Sequence, residues 1–343
     1  MRTVIFIPPL KKASGGLVAL QELACLLGRL GFDVAVASTA QPGAGDVLDG
    51  VDVSISRLSW NKPFLGPHDI WLVPEGWPNA IAPGAEAGAQ TLVYVQNWLF
   101  MMTALPEGAR WSRLPVRYLA VSRPVRWFCE DVLGLAVDAV LPPSIHPEFF
   151  VQGTRDKHIR IAYMPRKNRA LADQIRAIAM ACLEVKGCGA RVEFVSIHGR
   201  SRSEVAQVLA SCHIFMSTGF PEGFGLPPAE AMACGCVPVG FSGLGGFEYM
   251  RNPKTCVLRG LYSPPFDLPP AEDTAKLAAG NGFFVSDGDV LGAGRALAHA
   301  VRLAHAEGGP WEALVANCRA TAKNYTVEAR EKAVKRIWES VHQ

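Results

Sequence analysis

The sequence predicts an α/β protein built from two doubly wound, parallel-sheet domains. Three observations predict it. Short apolar runs alternate with stretches of helical period along the chain, the signature of parallel βα units. The alternation breaks once, at the proline-rich segment Leu141-Pro-Pro-Ser-Ile-His-Pro-Glu148, and then restarts. The length, 343 residues, suits two domains better than one, and 49% hydrophobic against 19% charged residues supplies two buried cores.

The first domain is read over residues 1–142. It opens with a strand from Thr3 to Phe6, then a loop carrying Lys11, Lys12, Gly15 and Gly16. A helix follows, with Leu17, Leu20, Ala24 and Leu27 on one face at helical spacing, and Gly31 ends it. Strands are expected at Val34 to Ala37, Asp69 to Val73, Thr91 to Val95, Tyr118 to Val121 and near Ala139, with a helix from about Pro124 to Val132. The second domain is read over 143–326. It has strands Arg160 to Tyr163, Val192 to Ile197, Ile214 to Met216 and Cys236 to Gly240, and helices near Leu171 to Glu184 and Glu204 to Ala210. Residues 260–280 are rich in Pro, Gly and Ala and read as a surface loop. Helices near Val290 to Ala306 and Trp311 to Lys323 precede an amphipathic terminal helix.

A net charge of +3 is too small to suit a protein whose affinity for nucleic acid rests on a broad basic face. Nine scattered cysteines, with no C-x-x-C pair, fit reduced thiols in a cytoplasm better than a disulfide framework or a zinc site. The apolar run Val4 to Ile7 is too short for a signal-peptide core, and no run approaches the ~20 apolar residues of a membrane span. A cytoplasmic protein, touching a membrane at most from one side, is expected.

The richest stretch is residues 217–248, STGFPEGFGLPPAEAMACGCVPVGFSGLGGFE. Glu222 and Glu230 flank a glycine turn at Gly223 and Gly225, which runs into a helix opened by Pro227 and Pro228. A second glycine turn, Gly243 to Gly246, ends at Glu248. Glycines let a ligand approach the main chain, and a helix start offers N–H groups to an anion. Ionised carboxylates only accept hydrogen bonds and so suit hydroxyls. A sugar nucleotide has both features. The bland reading of the same residues is a strand–loop–helix unit with a solvated carboxylate at each end.

The run EGFGLPPAEAMACGCVPVG resembles the donor-site motif of retaining GT-B glycosyltransferases, in particular family 4 (glycosyl transferases group 1). That motif has two glutamates separated by seven residues, as Glu222 and Glu230 are, and the flanking GFGL, EAMA-x-G and PV elements match in order. The resemblance covers most of the chain but is sharp only from Ser217 to Glu248. It implies a GT-B fold of two Rossmann-like domains facing a central cleft, the second holding the nucleotide sugar and the first the acceptor. It also implies a terminal helix, 327–343, that packs back on the first domain.

Residue by residue, the resemblance puts Glu230 on the donor ribose, Glu222 near the transferred sugar, and the amides of Phe224, Gly225 and Leu226 near sugar and diphosphate. Arg166 and Lys167 stand where the family clamps the phosphates, although YMPRKN compresses the usual Arg…Lys spacing. Gly199, Ser217 and Glu248 match donor-side positions, as do His198, Thr218, Gly245, Gly246, Asn281 and Gly282 with less definition. Gly15 and Gly16 correspond to a Gly-Gly that lets the donor diphosphate and the acceptor approach the backbone; the third glycine of a dinucleotide fingerprint is missing. Gln96 and Asn97 are the acceptor-side candidates, standing where relatives carry a histidine. Glu75 is a further candidate there, though a loop carboxylate is ordinarily solvated.

The reaction implied is transfer of a sugar from a nucleotide-diphosphate sugar to an acceptor hydroxyl with retention, helped by an oxygen of the leaving phosphate. The acceptor is a sugar, a lipid-linked or a small molecule. No cofactor and no metal are expected: Asp287-Gly288-Asp289 spells a metal-binding D-x-D, but Asp289 precedes a helix and reads as its N-cap. Two other functions stay open, a sugar-nucleotide epimerase or hydrolase of this fold and a non-catalytic sugar-nucleotide-binding protein. Residues 110–129 contain five arginines, no acid, and Trp111 and Trp127. They read either as a peripheral contact with an anionic membrane or as a buried strand with arginines spread over its flanks. Base, sugar, acceptor and oligomeric state are not legible.

Overall fold

The computed structural model describes all residues except 11–13, 40–50, 53, 61–64, 255, 257, 268–279 and 342–343. Lys11, Lys12, most of the 260–280 loop and the end of the predicted terminal helix therefore lie outside the described residues. The chain divides into two compact units, Met1–Pro143 with Glu328–Gln343, and Ser144–Val327.

In the first unit, β1 (Thr3–Phe6), β2 (Val34–Ser38), β3 (Ser56–Ser59), β4 (Ile70–Pro74), β5 (Gln90–Val95), β6 (Arg117–Ala120) and β7 (Val137–Val140) form one parallel sheet in the order β3-β2-β1-β4-β5-β6-β7. The central strands are buried on both faces, which is why they read as continuous apolar runs. Strand order reverses between β1 and β4. Helix α1 (Gly15–Arg29) leaves β1 and is capped by Ser14, whose hydroxyl accepts from Leu17 N at 3.2 Å. Two short helices, α2 (Ala82–Ala87) and α3 (Trp98–Thr103), and the exposed edge strand β3 carry no clear pattern in the sequence. Helix α4 (Arg123–Trp127) sits between β6 and β7.

In the second unit, β8 (Ile159–Tyr163), α5 (Arg169–Val185), β9 (Val192–Ser196), α6 (Arg202–Ser211), β10 (Ile214–Ser217), α7 (Leu226–Ala233), β11 (Val237–Phe241), β12 (Phe283–Val285), α8 (Val290–Ala306) and α9 (Gly309–Ala322) follow in sequence. The sheet is again parallel, in the order β12-β11-β10-β8-β9, and its reversal lies between β8 and β10.

The last helix, α10 (Val327–Val341), returns to the first unit. Trp338, fully buried, donates its indole N–H to Thr3 Oγ1 at 3.0 Å. Arg330 reaches Glu22 at 3.0 Å and the Ala19 carbonyl at 3.1 Å. Burial of Val334 and Trp338 contributes on the order of 1.5–3 kcal/mol each to this docking.

Residues 110–129 divide into structural and exposed parts. Trp111 is buried and donates to Met101 O at 2.7 Å. Arg117 pairs with Asp138 and Arg126 with Glu130. Arg110 and Arg113 are exposed. No described helix is long and apolar enough to cross a membrane.

Candidate donor and acceptor sites

In an open parallel sheet, ligands bind beyond the carboxyl ends of the strands where the order reverses. In the second unit that point is the pair of loops following β8 and β10, and the chain puts its chemistry there. Lys167 lies in the turn after β8, and its ammonium pairs with Glu222 Oε1 from the loop after β10. Side chains also tie each loop to the main chain of the other: Asn168 Nδ2 donates to Thr218 O at 2.8 Å, and Thr218 Oγ1 donates to Lys167 O at 3.2 Å. Asn168 precedes α5 with φ 57°, a left-handed conformation that asparagine tolerates better than most residues. Arg166 is exposed in the same turn.

Glu222 is held by the second glycine turn. Its N–H donates to Gly243 O at 2.9 Å, and its carbonyl accepts from Gly245 N at 3.1 Å. A β-carbon at Gly245 would lie 2.1 Å from the Gly223 carbonyl, so the two glycine turns can stack only without side chains. Asp287 holds this turn from beyond β12, accepting from Gly243 N at 2.9 Å; burial pushes its carboxyl up. Asp289 caps α8 by accepting from Gly292 N at 2.8 Å. Both carboxylates of the D-x-D triplet are thus spent on backbone amides.

Gly225, φ 79°, is the N-cap residue of α7 and supplies no side-chain cap. Pro227 and Pro228 have no N–H, so the donors at this helix start are those of Phe224, Gly225 and Leu226. No described residue accepts from these three. The turn is seated from below: the Phe224 ring is buried against Tyr249 and Tyr325, at 5.1 and 5.2 Å, and the Tyr249 hydroxyl donates to Gly225 O. Phe224 can therefore meet a ligand only through its main chain. Glu230 lies half-buried one turn into α7. Glu248 is buried and accepts from the Tyr325 hydroxyl at 3.4 Å.

Two predicted donor residues stand differently. The Ser217 hydroxyl is buried and donates to Phe241 O at 2.7 Å, which commits it to the β10–β11 pair. Gly199, φ 63°, is exposed after the edge strand β9, one strand away from the reversal, and His198 beside it is also exposed. Asn168, Asp287, Tyr249 and Tyr325 help to form the site without a motif that marks them; only Asn168, a turn residue directly after the Arg-Lys pair, carries a local signal.

In the first unit, the reversal between β1 and β4 gathers the acceptor-side candidates. Gln96 and Asn97 follow β5. Gln96 Nε2 donates to Gly16 O at 3.1 Å, and Asn97 Oδ1 caps α3 by accepting from Leu99 N at 3.0 Å. Glu75, just past β4, is not solvated: it is 2% exposed and accepts the backbone N–H of Gln96 at 3.0 Å and of Asn97 at 2.7 Å. Gly15 is exposed, and a β-carbon there would meet no atom within 4 Å. Gly15→Ala is therefore expected to melt within about 1 °C of the wild type, since no packing changes. A loss of activity in that variant would come from a ligand meeting the methyl group. Unchanged kcat/KM would remove Gly15 from the binding surface.

Two all-parallel α/β units with these strand orders form the GT-B fold of glycosyltransferases. The structure superposes on sucrose-phosphate synthase from Thermosynechococcus elongatus with a TM-score of 0.64 at 12% identity, covering 99% of each chain. It matches a lipopolysaccharide outer core galactosyltransferase with a TM-score of 0.60 at 12% identity, covering 99% of this chain and 100% of the other. Within that fold the chain is similar to the family described as Glycosyl transferases group 1, whose model matches residues 179–263 and so includes the Glu222–Glu230 motif. An α-1,6-glucosyltransferase of Actinobacillus pleuropneumoniae serotype 7 (strain AP76) is 37% identical over 105 residues. That match spans 30% of this chain and 31% of the relative.

Proposed function

We propose that the protein transfers a sugar from a nucleoside-diphosphate sugar to an acceptor hydroxyl. The observation that carries the reading is the meeting of Lys167 and Glu222 at the strand-order reversal, beside the unaccepted amides of Phe224 to Leu226. A cation and a set of fixed N–H dipoles suit a departing diphosphate, where charge develops as the anomeric C–O bond breaks. The second carboxylate, Glu230, suits the ribose hydroxyls. The bond that forms joins the anomeric carbon to the acceptor oxygen, and the acceptor proton passes to an oxygen of the leaving diphosphate. That route needs no dedicated general base and gives retention of configuration.

Turnover without a metal ion is part of the reading: Lys167 supplies the positive charge, and both D-x-D carboxylates are engaged by amides. The acceptor is assigned to the first unit, around Gly16, Gln96 and Asn97. The reading includes sugar and lipid-linked acceptors, and a peripheral membrane contact through 110–129 rests on the exposed Arg110 and Arg113.

A thermal-shift screen with UDP, GDP, ADP and dTDP sugars finds the donor, because ligand bound to the native state raises the melting point. Glu230→Ala is expected to weaken that response about tenfold in Kd, the loss of roughly one charge-assisted hydrogen bond. Glu222→Ala is expected to keep binding and lose turnover. Product analysis completes the test: an epimerised nucleotide sugar or free sugar, without transfer to any acceptor, would overturn the reading.

A further inference from the structure

Glu75 is the most deeply buried carboxyl group at the strand-order reversal of the first unit, and the reaction described above does not use it. Each of its oxygens accepts a different, consecutive backbone amide, Oε2 from Gln96 and Oε1 from Asn97. Those amides belong to the turn between β5 and α3, and Gln96 in turn donates to the carbonyl of Gly16 in the first turn of α1. A β-carbon on Gly16 would fall 2.5 Å from Gln96 Oε1, so the carboxamide occupies the space a side chain there would need. Three chain segments from three adjacent strands, β1, β4 and β5, are thus linked through two side chains, Glu75 and Gln96.

We propose that Glu75 is the positioning residue of the acceptor-side turn: its two oxygens set the backbone of Gln96 and Asn97 and thereby hold the Gln96 carboxamide against Gly16. The inference rests on the assignment of the acceptor to the first unit. A carboxylate buried only to support a fold would be replaceable by a well-packed apolar group, because burial of the charge costs stability. Here burial pushes the Glu75 carboxyl up to about 7, against the pull of the amides it accepts. The titratable groups that face it are Tyr94 on β5 and Cys129 beyond α4, each pushed up to about 12 by burial and so protonated at neutral pH. The charges of Arg330, which lowers it, and of Glu22, which raises it, act on the same Tyr94 hydroxyl.

The sign follows. Between the ordinary glutamate value and about 7 the folded chain holds a proton that the unfolded chain has lost, so stability falls as pH rises through that window. His213 in the second unit, pushed down to about 4 by burial, acts in the opposite direction. The comparison of wild type with Glu75→Gln cancels the histidine. The wild-type melting point is expected to fall relative to that of Glu75→Gln between pH 5 and 7.5.

The deciding experiment measures amide hydrogen exchange and acceptor kinetics on the full chain. In Glu75→Gln, one of the two amides faces an NH2 group instead of an acceptor. Exchange at Gln96 and Asn97 is expected to quicken roughly tenfold or more, with the β8 and β10 loops unchanged. With n-octyl β-D-glucoside as probe acceptor, KM is expected to rise about tenfold while nucleotide affinity and kcat hold within about threefold. Gln96→Ala is expected to raise the same KM, and the double variant to be no worse than Glu75→Gln alone. Unchanged exchange at Gln96 and Asn97 would overturn the proposal, as would multiplied KM effects or a loss spread evenly over the first unit. A wild type that binds nucleotide sugar and transfers to nothing sinks the glycosyl-transfer reading instead, and the exchange arm still decides the role of Glu75.

Discussion

Lys167→Ala is expected to lower kcat/KM by about two to three orders of magnitude, the loss typical when one preorganised charge-stabilising group is removed. The melting point should move by no more than about 2 °C, because Lys167 and Glu222 side chains are 44% and 21% exposed and surface pairs contribute little to stability. Lys167 is already paired with Glu222, so a diphosphate must compete with that carboxylate for the ammonium. Glu222→Gln removes the competitor. It should bind nucleoside diphosphate at least as tightly as the wild type while losing turnover, whereas Lys167→Ala should bind about tenfold or more weakly. The opposite signs on affinity distinguish an exchange of partners from simple loss of two site residues. Isothermal titration with the nucleoside diphosphate, alongside steady-state rates, reads both. Equal affinity across wild type, Lys167→Ala and Glu222→Gln would show that the ammonium never meets the phosphates.

The parts of this site that the sequence discloses are those whose causes are local. Strands such as β1 and β11 are buried along their whole length, so they read as apolar runs. Asp289 reads as a cap because its partner is three residues away. Strand β3, with Ser, Arg, Leu and Ser on an exposed edge, lacks that signal and is set by its pairing with β2. The neighbouring Asp287 acts on Gly243, 44 residues distant, and nothing around it discloses the partner. Ser217 shows the same limit in reverse. A serine that ends an apolar strand looks identical whether it meets a ligand or a neighbouring carbonyl, and the register with β11 decides for Phe241. Glu75 sits in a loop whose composition suggests solvent. The topology around β4 and β5 encloses it instead, an outcome that depends on strand order and not on the residues beside it.

Gly245→Ala is expected to be among the most damaging single-methyl changes in the donor region. Its β-carbon would fall 2.1 Å from both C and O of Gly223 and 2.6 Å from the Glu222 carbonyl oxygen. All of these are main-chain atoms, so no side chain can swing aside, and overpacking of this kind costs about 1–3 kcal/mol or more. For a unit of this size that is a fall in melting point of roughly 2–12 °C. The displacement has a direction. It separates residue 245 from residues 222 and 223, breaks the hydrogen bond from Gly245 N to Glu222 O, and moves Glu222 away from Lys167. It also lifts the turn that presents the amides of Phe224 and Gly225, so the donor response should weaken by more than tenfold even at temperatures where the variant is fully folded. Gly246→Ala makes a useful contrast, because the nearest atoms there are the sulfur and methyl of Met250, at 2.6 and 2.9 Å, on a side chain that can rotate. It should cost less stability and less affinity than Gly245→Ala. Melting curves of both variants with and without the nucleotide decide the matter. A Gly245→Ala protein with wild-type melting and an undiminished nucleotide shift would mean that the two glycine turns are not stacked, and that Glu222 is not positioned by them.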